Sequence, residues 1–192
     1  MLELYLGLAL FLGVHSVSIL AAGWRNARVL QFGEKTWKAG YALVSLAGFA
    51  LIVHGFGAAR AEPVLLWQPP LWTRHLAALA TLPAFVLLAA SHVKGSAMRA
   101  RIGHPMVAGT FIWAVAHLAA NGMLHDVVLF GAFALWAALD FMSLRARDRA
   151  RGTAPAPGSM ARDAIAIGAG VAFWALFAWL LHGWLIGVRP YA

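Results

Sequence analysis

Apolar runs of about twenty residues alternate with short polar breaks along the whole chain. A helix needs about that length, with few charges, to cross the ~30 Å hydrocarbon core of a bilayer. The pattern predicts six spans, at about Leu2–Trp24, Ala39–Ala59, Leu71–Ser91, Pro105–Gly122, Leu124–Leu144 and Ala164–Val188. The breaks differ in kind. Arg25 to Lys38 is polar and basic, and reads as a loop. Glu62-Pro63 and Gln68-Pro69-Pro70 stop any helix in the next break, where Trp67 and Trp72 suit a membrane interface. His92 to Gly103 is basic again. Met123 and Leu124 leave almost no room between the fourth and fifth spans, so these form a tight hairpin. Arg145 to Asp163 is the longest linker and reads as flexible through Thr-Ala-Pro-Ala-Pro-Gly-Ser. The fourth span opens at His104-Pro105, because proline is tolerated in a first helical turn, and closes at Asn121-Gly122. Pro83 predicts a kink in the third. No internal repeat is evident.

Composition sharpens this into an all-α, integral-membrane six-helix bundle forming one domain over residues 1–192. Of the 192 residues 62% are hydrophobic and 11% charged, too apolar for an ordinary soluble domain. The start of the chain lacks the basic flank and short apolar core of a cleaved signal peptide, so the first helix is expected to remain. With no cysteines, disulfides, thiolate metal sites and cysteine nucleophiles are excluded. The formal charge is +8, but no basic patch is interleaved with exposed aromatics as a nucleic-acid surface requires. The charge is instead distributed by side. Arg25, Arg28, Lys35, Lys38, Lys94, Arg99, Arg101, Arg145, Arg147, Arg149, Arg151 and Arg162 share one side of the six-span arrangement, and only Arg60, Arg74 and Arg189 fall on the other. The positive-inside rule puts the first set in the cytoplasm and both termini on the non-cytoplasmic side. Membrane lipid is therefore a partner and nucleic acid is not.

The chemistry rests on eight histidines. His54, His75, His125 and His182 fall near outward ends of spans, where they reach water or headgroups. A second reading makes them a polar cluster at the outer mouth with Arg74 and Asp126. His92 and His104 sit at cytoplasmic ends, and His104 reads as a helix cap. His15 and His117 lie within apolar spans, where an ionisable group is costly and marks a functional site. Trp113 and Asn121 share the helix face of His117, while Phe11 and Gly13 stand beside His15. Two facing imidazoles among small residues and a tryptophan suit bis-histidine haem ligation, with the other view being histidines that hydrogen-bond neighbouring helices. At a rise of ~1.5 Å per residue, His15 lies roughly 20 Å from the outer surface and His117 roughly 8 Å. That difference makes His104 a competing partner for His15. Asp140, near the cytoplasmic end of its span, is expected to pair with Arg25, Arg145 or another basic residue there. Paired carboxylates, glycine-rich phosphate loops, His-Glu-x-x-His and serine-triad signatures are all missing.

Three stretches, in order, carry a resemblance. They are Gly13-Val-His-Ser16 with Gly33-Glu-Lys35 and Tyr41; Leu66-Trp-Gln68 before His75; and His104-Pro-Met-Val-Ala-Gly109 with Trp113-Ala-Val-Ala-His117, Phe130-Gly131, Trp136 and Asp140. Together, over about residues 1–144, they resemble the NnrU family of bacterial membrane proteins, and through it the plant and cyanobacterial 15-cis-ζ-carotene isomerase. The resemblance implies haem b held by His15 and His117, in the bacterial inner membrane. It also implies a redox, nitric-oxide-related or polyene-isomerising role, with a hydrophobic small molecule or a respiratory complex as partner. Trp113, Phe11, Gly13 and Asn121 would wall the pocket. The isomerase stretch carries a cysteine where this chain has Ala114, so a cysteine-based ligand exchange is impossible here. The alternative function is a cofactor-free accessory or assembly protein for a complex such as nitric oxide reductase. A weaker similarity, of His104-Pro105 and the small residues after it, is to isoprenylcysteine methyltransferases. Those need a cytoplasmic C-terminal segment, where this chain has a linker and another apolar span.

Overall fold

The structure, a computed structural model, describes residues 1–153 and 157–190. They fold as helices joined by short turns: α1 (Leu2–Leu20), α2 (Ala22–Phe32), α3 (Glu34–Ala61), α4 (Trp72–His92), α5 (Ala97–Ile102), α6 (Pro105–Ala120), α7 (Leu124–Ala150), α8 (Met160–Leu176), a π-helical turn (Phe177–Leu181) and α9 (His182–Ile186). Five stretches are long and apolar enough to cross a membrane: α1, α3, α4, α7, and α8 running through the π turn to Ile186. This is a multi-pass membrane protein. The expected fourth span is α6, which at 16 residues rises only about 24 Å, short of the hydrocarbon thickness.

Several expected boundaries move. The predicted basic loop Arg25–Lys38 is helical: α2 fills most of it and α3 begins at Glu34, one residue after Gly33 turns the chain at φ +83°. The Trp24 ring packs edge-on against Trp37 at 5.7 Å, which lays α2 against the start of α3. α7 continues to Ala150, so the linker opens about two turns later than its composition predicts. In the predicted loop His92–Gly103 a short helix, α5, forms because Ser96 caps it: its hydroxyl accepts from Arg99 N at 3.1 Å. The part of the flexible linker at residues 154–156 lies outside the described residues.

Helices meet in the order α3, α1, α7, α6, α4, α8, each packed on the next. Small residues set the closest approaches. A Cβ added at Gly7 would stand 2.6 Å from Ile52 N, and one at Gly48 2.7 Å from Phe11 N, so α1 and α3 touch backbone to backbone. Gly109 does the same for α6 on α4, and Gly170 for α8 on α4. The core between α1, α3 and α7 is Leu4, Leu8, Ile52, Leu129 and Phe130, with Phe11, Trp113 and Phe133 packed against it.

Charge separates the two ends. One end gathers Arg25, Lys38, Lys94, Arg99, Arg145 and Arg149 around its cavities. There Arg147 approaches Asp140 at 3.8 Å and donates to Ser18 O, so Asp140 has a basic partner. Both described chain ends lie at the opposite end. Glu3 meets His54 at 2.7 Å, and Arg60 donates to Ile186 O. The loop after α3 is stapled across that end: Leu66 N donates to Gly122 O at 2.9 Å and Leu124 N to Val64 O at 2.8 Å. Leu66-Trp-Gln68, one of the stretches that carry the family resemblance, is thereby held against Gly122 at the end of α6.

Candidate functional site

His15 and His117 are built alike. Each sits on a helix with its Nδ1 on the carbonyl four residues back: His15 on Phe11 O at 2.6 Å and His117 on Trp113 O at 2.8 Å. A carbonyl only accepts, so each Nδ1 carries a proton, and neither Nε2 has a hydrogen-bond partner among the described residues. Neither ring is fully buried.

The structure does not bring these two histidines together. The His15 ring lies against Phe11 at 4.3 Å, Tyr41 at 5.0 Å and Trp136 at 5.9 Å, toward the basic end. The His117 ring stacks on Phe130 at 4.6 Å and meets Trp113 at 5.1 Å, toward the other end. Between them Phe11, Phe133 and Trp113 are in ring-to-ring contact, at 5.9 Å and 5.7 Å. One iron would have to be reached by both Nε2 atoms, yet the two histidines connect here through the intervening rings of Phe11, Phe133 and Trp113. Among the described cavities none is lined by both residues. His104, the competing partner, is also elsewhere: its Nε2 is 2.8 Å from Asp148 Oδ2, in the basic-end cavity with Lys94, Arg99 and Arg145. The other expected pocket residues divide. Trp113 and Asn121 line the space beside His117, whereas Phe11 packs in the core. Gly13 is not among the residues of the cavity beside His15, and a Cβ there would meet open space.

His117 does share a space with His182. Two adjoining cavities, of about 230 and 310 Å³, have His117, Asn121, His182 and Val188 as common walls. The first runs between α4, α6 and α8 past Thr81, Phe85 and Trp113 to Arg74 and Arg189. The second runs between α3 and α7 past Phe56 and Arg60 to His125 and Asp126. His125 and Asp126 are themselves buried and 3.6 Å apart, with the His125 ring edge-on to Phe56.

Local structure explains how His182 gets there. The π turn Phe177–Leu181 inserts an extra residue per turn and rotates α9 relative to α8. Gly187 then adopts φ +75°, ending α9, and the chain folds back so that Arg189 lies against Gly183. The return places Val188 O 2.6 Å from His182 Nδ1, so this Nδ1 donates, and its Nε2 has no hydrogen-bond partner among the described residues. On the α6 side, Asn121 donates to His117 O at 2.8 Å, closing the helix just beyond the histidine.

His182 is the residue that sequence reasoning set aside, because its position near a span end allows an ordinary interfacial role. The signal that pointed to it was the second reading of the outward histidines. His125, His182, Arg74 and Asp126 do line these cavities, while His54 pairs with Glu3 instead. Among the described residues no group of three or more His, Asp or Glu side chains is placed to hold a bare metal ion.

No curated protein and no solved structure matches the chain. A family model described as NnrU protein matches residues 3–190, from the first turn of α1 to the fold-back beyond α9. The chain belongs to the NnrU family.

Proposed function

We propose that this protein lies in the bacterial cytoplasmic membrane, basic end inward, and binds one haem b between His117 and His182. The observation that carries the reading is the pair of cavities with both histidines as common walls, each histidine with Nδ1 engaged by a backbone carbonyl. That arrangement fixes the tautomer and leaves Nε2 for a metal. The surroundings fit the group: two neutral nitrogen donors, aromatic and alanine walls for a flat macrocycle, and arginines at the rim. When bound, haem supplies reversible one-electron chemistry. This chain's residues do the rest. Trp113 O and Val188 O orient the rings, Phe130 stacks on His117, and the apolar walls exclude water.

Ala114, fully buried one turn before His117, leaves only nitrogen donors here. That favours electron handling, or a nitric-oxide-related role, over ligand exchange in the service of polyene isomerisation.

The experiment is an absorption spectrum of detergent-purified protein, oxidised and dithionite-reduced, with a pyridine haemochrome assay. Wild type should give a Soret band and sharp reduced α and β bands near one haem per chain. His117→Ala and His182→Ala should lose them, and His15→Ala should keep them. Loss in His15→Ala with retention in His182→Ala would restore the pair implied by the resemblance. Colourless protein that takes up no added hemin would remove the haem reading altogether.

A further inference from the structure

The three cations on the sparsely charged side of the chain, Arg60, Arg74 and Arg189, are far apart in sequence, yet all three line the two adjoining cavities. Arg60 is already engaged, since its Nη1 donates to Ile186 O at 2.5 Å. Arg74 and Arg189 are different. Both line the cavity between α4, α6 and α8, and among the described residues neither guanidinium has an ion pair or a side-chain hydrogen bond. Among the described residues no acidic side chain lines that cavity. Charges kept at the end of a membrane bundle and turned on an interior space mark a ligand path rather than a fold requirement. Positive-inside selection acts against arginine on this side, which makes its concentration at one cavity informative.

The geometry selects the ligand's chemistry. Next to the arginines the cavity is walled by Phe85, Trp113 and Phe177 with Ala77, Ala78 and Ala120, surfaces that take a flat apolar body. Guanidinium presents a planar fork that matches a carboxylate with two parallel hydrogen bonds. Two such forks at one end of an aromatic slot ask for a planar molecule with acid groups on one edge. Arg74 is fixed by the first turn of α4, where Thr73 donates back to Pro70 O, and Arg189 by the fold-back after Gly187. Their separation is thus set by two different elements rather than by neighbouring positions on one helix.

We infer that Arg74 and Arg189 form a carboxylate-binding rim, so that the two adjoining cavities together take a planar macrocycle by its two acidic side groups, with the acidic edge at the sparsely charged end. The inference rests on the haem reading for the identity of the macrocycle, but the rim is separable from the iron ligands. The probes are iron-free protoporphyrin IX and its dimethyl ester, which differ only in the two acids. Binding is read by fluorescence quenching with the full-length protein in a non-ionic detergent.

Wild type should bind the free acid at least tenfold more tightly than the ester. Arg74→Gln/Arg189→Gln should bring the two within about threefold by weakening the acid alone, and higher salt should do the same in wild type. Arg74→Lys/Arg189→Lys, which keeps the charge but loses the fork, should give a preference between those of wild type and the glutamine variant, and shows that the fold survives change at these positions. Equal binding of acid and ester by wild type, or binding of neither, overturns the rim. Hemin added in parallel separates the two ideas. A preference for the free acid without a Soret shift sinks the haem reading and leaves the rim. A Soret shift with equal acid and ester affinity does the reverse.

Discussion

A glycine in this bundle is judged by what stands opposite it. Gly13 belongs to the stretch that carries the family resemblance, yet space is open where its side chain would be. Gly48 belongs to no such stretch, yet Phe11 N stands 2.7 Å from its would-be Cβ. Gly48→Ala therefore has to push α3 off α1, a change that costs about 1–3 kcal/mol in well-packed interiors. Gly13→Ala removes only backbone freedom, and in a helix interior that is favourable by up to ~1 kcal/mol. Thermal unfolding in detergent should show a lower midpoint for the first and an unchanged or higher one for the second. Equal effects would mean that the α1–α3 seam is looser than its backbone contacts imply. The comparison separates two uses of a small residue that sequence treats alike, packing and permissiveness.

At the scale of elements, α5 shows how much a short helix owes to a neighbour. Its six residues cannot hold themselves, because the nucleus of a helix costs more than so few hydrogen bonds return. Asp163, in the first turn of α8, accepts from Met98 N at 3.1 Å and from the Ser96 hydroxyl at 2.6 Å. It caps α5 from outside, while Ser96 caps it from within. Asp163→Ala should raise amide exchange across residues 97–102 and leave α6 protected. Equal protection in variant and wild type would show that Ser96 suffices. This cap was not legible in the sequence, since Ser96 and Asp163 lie in two separate polar breaks. The legible part came from runs and stops: α4 and the start of α6 at Pro105 were explicit in apolar length and proline placement. α2 was missed because Arg25, Asn26 and Arg28 make a polar stretch that looks like a loop until the Trp24–Trp37 contact gives it a surface to lie on. The π turn has no residue signature, so the rotation that brings His182 to His117 could not be foreseen. Depth along a span was readable for His15 and His117; which way each faces around its helix was not.

For the whole molecule, the two charge-sorted ends imply an orientation that can be measured directly. The chain contains no cysteine, so single introduced thiols report without background. Both described chain ends lie at the sparsely charged end, and on the six-span expectation α6 carries the chain across despite its length. Its neighbours α4 and α7 pack along it, while Met106, Phe111 and Val115 stay exposed on its outer face. Glu62→Cys should react with a membrane-impermeant maleimide in intact cells, whereas Gln31→Cys and Gly152→Cys should react only after lysis. Labelling of Gly152→Cys from outside would leave α6 short of a crossing and invert the last helix.

The fold-back after Gly187 also has a meaning in time. A ribosome delivers this chain from α1 onward at about 5–20 residues per second. The α1–α3 seam closes early, from partners adjacent in sequence. His182, Val188 and Arg189 are among the last described residues to emerge, and the shared walls of both cavities depend on them. Until that final turn seats, His117 faces a half-built groove. On the haem reading, capture is thus a late event in biogenesis, and a chain stalled within α8 would lack the walls that His182, Val188 and Arg189 supply.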